Sequence, residues 1–255
     1  LMDHQEKLHF ALGRGRKRAS IGVHDLAKLA PPFTVKAVSG DTKFTPLAAT
    51  EPMSIKEIMA EHPKGIEYAH LLSEFDRYPI ILDAENNVLS FPPIINGDHT
   101  TVTKDTKDFF IDVTGWDIRA CESSLMLIAL QLQEYGGIIE TVEVTNCFGA
   151  TNVYPNGSAV EHKLTIAAIQ GLLGGKLTEE AISGAINRMG GKLVACDDEL
   201  ITLEMPRWRF DILHPVDLVE DIAIGHGYED LGHDIPRSPM TCLLYTSPSP
   251  RDRYG

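Results

Sequence analysis

The stretch "RFDILHPVDLVEDIAIGHGYEDL" places Asp211, Asp217, Glu220 and Asp221 within eleven positions and offers no lysine among them. Pro215 suits the first turn of a helix. At about 100 degrees per residue, Asp217, Glu220 and Asp221 then share an arc of about 100 degrees, since positions i, i+3 and i+4 lie on one face. Leu218, Val219 and Ile222 take the opposite side, which is the side for a core. Asp211 stands just upstream and can fold back toward the acids. One reading is a plain acidic first turn, in which like-charge repulsion of about 0.2 to 0.5 kcal/mol per pair is offset by the helix dipole at about 0.3 to 1 kcal/mol per acid. The other is a divalent cation held by carboxylate oxygens. Magnesium suits such a set, because it takes hard oxygen ligands, keeps several waters and needs few carboxylates. Calcium would bring the regular loop of an EF-hand, which is absent, and His214 and His226 leave a transition metal as a further alternative.

A second concentrated stretch is "FPPIINGDHTTVT". Two prolines and a strand put Asn96, Gly97, Asp98 and His99 at the tip of a stiff element, the kind of loop on which binding and catalysis are usually carried. Asp98 or His99 could orient a water as base or hydrogen-bond acceptor. The plain alternative is an ordinary Asn-Gly turn. No Ser-His-Asp order, Walker loop or dinucleotide glycine fingerprint occurs, so no self-contained ATP site is visible. "GRGRKR", Gly13 to Arg18, reads as a solvated loop or as a local RNA contact.

These stretches need elements to hold them. "YPIILDAENNVLSFPPIING" has the pattern of a β-hairpin turning at Glu85 to Asn87 and stopped by Pro92 and Pro93. "DFFIDVTGWD" predicts a strand that ends at Thr114-Gly115. In "RACESSLMLIALQLQEYGG" Leu125, Ile128, Leu132 and Tyr135 recur at helical spacing before a Gly-Gly stop, which predicts a helix packed on a sheet. "IIETVEVTNCF" returns to strand character. Past Asn156-Gly157 the pattern changes to short helices ending on glycine, "TIAAIQGLLGGK" and "TEEAISGAINRMGGK", the second capped by Thr178. "KLVACDDELITLEMP" predicts a hairpin with an Asp-Asp turn. The expected fold is α+β: a mixed-sheet unit over 1–150 and a small winged-helix-like unit over 155–235 carrying the acidic helix. Residues 236–255 read as an unstructured tail, and its end, "LLYTSPSPRDRYG", fits neither pattern and reads as a non-native linker.

A length of 255 residues suits two domains, and 43% hydrophobic with 23% charged residues is ordinary for a globular chain. No apolar run reaches the roughly 18 residues of a membrane span. The N-terminal "LMDHQEKLHFALGRGRKRAS" lacks the apolar core of a secretory signal, and Leu1 before Met2 reads as a piece of a longer polypeptide. Cys121, Cys147, Cys196 and Cys242 are far apart with no CxxC pair, which argues against a zinc site and for a reducing compartment. A net charge of -13 argues against broad clamping of a nucleic-acid backbone.

"YPIILDAENNVLSFPPIINGDHTTVTKDTKDFFIDVTGWD" resembles the editing domain of the beta subunit of phenylalanyl-tRNA synthetases of the archaeal and eukaryotic cytosolic type, and "MPRWRFDILHPVDLVEDIAIGHGYED" resembles the end of the small module that follows it. The resemblance runs in order from Met2 to about Pro236. It implies a cytoplasmic α2β2 complex that charges tRNA(Phe) with phenylalanine, with ATP bound mainly by the alpha subunit. The implied partners are that alpha subunit and tRNA(Phe), with no DNA and no membrane. The beta subunit would recognise and proofread, hydrolysing tRNA(Phe) mischarged with tyrosine. The editing pocket would involve Asn96, Gly97, Asp98, His99, Thr114, Gly115 and Asp117. Asp211, Asp217, Glu220 and Asp221 would be ligands of a magnesium ion shared with the alpha subunit. Trp208 departs from the smaller residue common in the family. The different-class alternative is a non-catalytic RNA-binding or scaffold module related to the editing domain.

Overall fold

A computed structural model describes residues 1–232. The first half contains α1 (Met2–Phe10), β1 (Ala19–Asp25), β2 (Thr34–Val38), β3 (Lys43–Phe44), β4 (Met53–Ser54), α2 (Ile55–Glu61), α3 (Pro63–Tyr68), β5 (Tyr78–Leu82), β6 (Val88–Phe91), β7 (Ile95–Asn96), β8 (Phe109–Gly115) and α4 (Ile118–Glu134). The chain continues through β9 (Val142–Thr145), β10 (Thr151–Tyr154), β11 (Val160–Thr165), α5 (Ile166–Leu173), α6 (Glu179–Arg188), β12 (Lys192–Cys196), β13 (Leu200–Met205) and α7 (Pro215–His226). This is an α+β fold of several small sheets.

Two sheets frame the first site. β1 and β8 pair antiparallel over their whole length, Ala19 opposite Gly115 and Asp25 opposite Phe109. Opposite residues in such a pair point to the same face. Ile21, Val23, Ile111 and Val113 therefore share one face, where they pack with Leu8 of α1 and Ile128 of α4. Ser20, Gly22, His24, Asp112 and Thr114 share the other. The second sheet has the order β2-β5-β6-β7, built around the hairpin that the sequence predicts. Its turn is held by the Asp83 carboxylate, which accepts from the Glu85 and Asn87 N–H groups. Phe91, Ile80, Ile94, Ile55 and Ile58 fill the core on its inner side.

The long helix α4 follows because Asp117 caps it, accepting from Ala120 N–H, and Ile128 is fully buried. The expected apolar face is shorter than its spacing suggested. Tyr135 lies beyond the helix end and is 83% exposed. β9 and β10 form an exposed antiparallel ribbon, and the expected boundary at 150 falls inside it.

In the second half Thr165 and Thr178 cap α5 and α6, and Gly174 ends α5 in the left-handed region. The hairpin of β12 and β13 forms as its Asp-Asp turn predicts, with Asp197 Oδ1 accepting from Glu199 and Leu200 N–H. A third strand, β11, pairs along β13. Leu164, Ile182, Ile186, Ile201, Leu203, Leu218 and Ile222 make a separate core under this sheet. The predicted tail, 236–255, lies outside the described residues.

Candidate functional site

The polar face of β1 and β8 looks onto the loop that leaves β7, and the two meet through a buried chain of hydrogen bonds. His24 is completely buried. Its Nε2 lies 2.8 Å from Asp112 Oδ2, and its Nδ1 lies 2.8 Å from Thr100 Oγ1. The Thr100 hydroxyl in turn lies 3.0 Å from the Gly97 carbonyl oxygen, to which it donates. Gly22 sits directly opposite Asp112, and a methyl group there would collide with Asp112 Oδ2 and His24 Nε2. The missing side chain is the space the pair occupies. Gly97 is held as closely, since a Cβ would strike the Val88 carbonyl oxygen.

Of the loop residues singled out in the sequence, Asn96 accepts through Oδ1 from Ser90 Oγ at 3.2 Å, with its backbone carbonyl held by Leu47 N–H. Asp98 N–H donates to Thr45 O, and its Oδ1 accepts from Ala48 N–H at 3.3 Å. His99 stands at the rim, where partial burial pushes its imidazole below the usual histidine range. Thr114 lies two residues from Asp112 on the same face of β8. Asp117 is placed differently. Its carboxylate pairs with Arg18 and caps α4 through Ala120 N–H, and the Arg18 guanidinium together with that N–H holds it below the usual carboxylate range. His24, Thr100 and Asp112 were not found from sequence, because 88 residues separate His24 from Asp112 and only strand pairing brings them together.

The basic stretch Gly13 to Arg18 is partly spent inside the fold. Arg16 Nη1 donates to the Pro93 and Ile94 carbonyls at 3.1 and 2.9 Å, while its guanidinium lies over Tyr68. Arg18 is engaged by Asp117, so Arg14 and Lys17 alone remain as exposed cations of this stretch.

At the acidic helix the expectation of an unanswered patch is corrected. Arg209 supplies the positive charge: its guanidinium contacts Asp211 Oδ2 at 2.6 Å and Asp221 Oδ1 at 3.0 Å. Asp221 Oδ2 is also 2.8 Å from Arg209 Nη2 but lacks a directed donor, so that oxygen makes a charge contact only. Arg209 holds the Asp211 carboxyl below its usual range, and the pairing in turn keeps Arg209 charged. Nor do the acids share one exposed arc. Asp221 lies at the edge of the core face and is buried with Leu218, Val219 and Ile222, whereas Glu220 is exposed. Asp217 Oδ2 accepts from Leu213 and His214 N–H at 2.7 and 2.6 Å, and those donors depress its carboxyl. Among the described residues no three His, Cys, Asp or Glu side chains converge as a metal cage. The exposed donors nevertheless have the chemistry for a hard cation, Glu220 and Asp211 both presenting carboxylate oxygens to solvent, while the Asp221 oxygen without a directed hydrogen bond is buried against Arg209.

A cleft of about 570 Å³ lies elsewhere, between α4 and the second half, lined mainly by Met126, Leu130, Ile139, Met205, Pro206 and the half-buried Trp208. Its lining suits packing more than hydrolysis, and the polar face of β1 and β8 is the better candidate. No helix among the described residues is long and apolar enough to cross a membrane.

Residues 1–131 match the family model described as the B3/4 domain, and residues 162–228 match the one described as the tRNA synthetase B5 domain. The Phenylalanine--tRNA ligase beta subunit of Methanosarcina acetivorans is 48% identical over 238 residues, covering 93% of this chain and 44% of that protein. The protein of the same name from Methanocaldococcus jannaschii is 43% identical over 236 residues, covering 91% and 42%. The crystal structure of an N-terminal fragment of the phenylalanyl-tRNA synthetase beta-subunit from Pyrococcus horikoshii aligns with a TM-score of 0.81 at 36% identity, over 88% of this chain and 64% of that one. The chain thus spans under half the length of the curated relatives it matches.

Proposed function

Because the chain belongs to the phenylalanine--tRNA ligase beta-subunit family, we propose that it forms the proofreading part of a cytoplasmic α2β2 ligase that uses ATP to charge tRNA(Phe) with phenylalanine. In this reading residues 1–150 are an editing unit that hydrolyses tRNA(Phe) mischarged with tyrosine, and residues 155–235 are a small winged-helix-like unit that bears on the alpha subunit. ATP is bound mainly by that partner. The observation that carries the editing assignment is the polar face shared by His24, Asp112 and Thr114, closed by the Asn96 to Thr100 loop, in a chain whose first half is a B3/4 domain.

Selectivity follows from desolvation. A site whose buried polar groups pair with the tyrosine hydroxyl leaves them unpaired when phenylalanine enters, which rejects the correct amino acid strongly. Asn96, Asp98, His99 and Thr114 border the space where the aminoacyl end would lie, and Asp98 or His99 would orient the attacking water. Asp117 supports the site indirectly by fixing the start of α4.

The magnesium assignment rests on the donor set of Asp211, Asp217, Glu220 and Asp221. With Arg209 already on two of the acids, this chain presents an incomplete shell, and ligands from the alpha subunit would complete it. A bound magnesium would supply fixed positive charge there.

Tyrosyl-tRNA(Phe) incubated with the complete ligase, wild type and Asp98→Ala, tests the editing reading. Release of tyrosine by the wild type and a loss of about 100-fold in the variant are expected. Background release by both, with RNA binding retained, would leave a non-catalytic RNA-binding module instead. For the metal, Asp217→Ala is expected to raise the magnesium concentration needed for charging, and an unchanged requirement would remove Asp217 from the ligands.

A further inference from the structure

We propose that His24 is the positioning residue of the editing site, tying Asp112 on β8 to the Gly97–Thr100 loop; the proposal rests on the editing reading above. A fully buried imidazole needs partners for both ring nitrogens, and His24 has one on each of two separate elements. Removing it would free both at once.

The hydrogen inventory makes the link directional. The Thr100 hydroxyl has one proton, and the Gly97 carbonyl can only accept, so the 3.0 Å contact between them uses that proton. Thr100 Oγ1 must then accept from His24 Nδ1–H at 2.8 Å. The 2.8 Å contact between Nε2 and Asp112 Oδ2 needs a further proton, held on the ring or on the carboxyl. Satisfying all three contacts therefore fixes the ring orientation, the carboxylate on β8 and the hydroxyl in the loop as one unit.

The surrounding sequence is shaped to this unit. Gly22 gives up its side chain where the His24 ring and the Asp112 carboxylate meet. Phe110, opposite His24 on the same face, lies with its ring centroid 6.2 Å from the imidazole, and Phe33 packs on Phe110 at 4.2 Å. These rings exclude water from one side of the histidine. Gly97, whose carbonyl ends the chain of bonds, is followed directly by Asp98 and His99. An error in the placement of His24 is thus delivered to the two side chains assigned to the hydrolytic water.

The test uses the complete beta subunit assembled with its alpha partner, assayed for tyrosyl-tRNA(Phe) hydrolysis and, in parallel, for phenylalanine charging. His24→Leu is expected to lower the hydrolytic kcat about 100-fold while KM moves by less than about 3-fold, the signature of lost alignment with substrate binding kept. Charging by the same preparation should be unchanged. His24→Gln, whose amide can still donate toward Asp112, is expected to recover about 10-fold of that loss. Should His24→Leu not assemble, Thr100→Val decides, because it keeps the His24–Asp112 contact at similar volume; its kcat should fall about 10-fold. A wild-type kcat in His24→Leu or in Thr100→Val, a loss confined to KM, or equal losses in His24→Leu and His24→Gln would overturn the role of His24. Failure of the wild-type ligase itself to hydrolyse tyrosyl-tRNA(Phe) is a different result, which removes the editing reading and this role with it.

Discussion

Each half of the chain buries a carboxylate against a nitrogen group, and the two pairs, both nearly enclosed, differ in what stands beside them. Asp112 meets His24 in a strand pair where the imidazole is 0% exposed and every contact is to a neutral group or a single acid. Asp221 meets Arg209, a permanent cation that it shares with Asp211, whose side chain is 63% exposed. The first arrangement fixes geometry, since its partners sit on separate elements that can be correct only together. The second balances charge, and only its outer partner, Asp211, stays open to solvent and to a further ligand. A closed polar unit suits the alignment of a reacting group, and an open one suits an interface or an ion.

Removing the cation should be the most damaging change. Arg209→Met leaves Asp221 buried without a counter-charge, and breaking a buried pair from one side costs about 3 to 5 kcal/mol. Urea unfolding should show a loss of that order, with more than half recovered in the double variant Arg209→Met with Asp221→Leu, because two apolar side chains of similar volume remove the stranded charge. A loss no larger than that of a surface ion pair would mean that Asp221 is effectively solvated, and the two clusters would then differ less in kind than in depth.

The closed cluster is sharpened by Gly22→Ala. A methyl group must push the Asp112 carboxylate or the His24 ring aside, and overpacking of this sort costs about 1 to 3 kcal/mol. On the editing reading proposed above, the same variant in the complete ligase should lose tyrosyl-tRNA(Phe) hydrolysis more than charging. A smaller effect is expected at the helix caps: Thr178→Ala should cost about 1 kcal/mol by thermal or urea unfolding. Asp117→Ala should exceed it, since Asp117 both caps α4 and pairs with Arg18.

The contrast also governs what could be read before folding. Dense charge made the acids between Asp211 and Asp221 conspicuous, and the Thr178 cap, the hairpin of β5 and β6 and the end of β8 at Gly115 all follow from local turn and cap chemistry. Local spacing could not say which acid would be drawn inward. Asp221 sits at the margin of the core arc, and Arg209, twelve residues earlier, decides the matter by reaching it. β11 escaped notice because Glu161, His162 and Lys163 interrupt its apolar pattern, and only Leu164 of the strand is fully buried. His24 gave no signal at all, being a lone histidine in an apolar strand whose partners stand 76 and 88 residues away. Topology supplied that site.

The smallest expected effect is acid sensitivity, and it separates the two halves by which donors hold each carboxylate. Asp217 is depressed by the His214 and Leu213 N–H groups, and Asp117 by the Arg18 guanidinium and then the Ala120 N–H. A carboxyl whose folded pKa lies below its ordinary 3.8 contributes stability that is present above that value and is lost as pH falls through the folded one. The unfolding free energy should therefore be level near neutrality and decline below about pH 5. Asp217→Asn and Asp117→Asn should each flatten that decline, since an amide does not titrate. Raising salt should weaken the Asp117 contribution more than that of Asp217, because an ion pair is screened while a hydrogen bond to a backbone N–H at a helix start is screened less. Equal salt dependence of the two would show that Arg18 acts on Asp117 through packing alone, and the helix start in the first half would then be held in the same way as the one in the second.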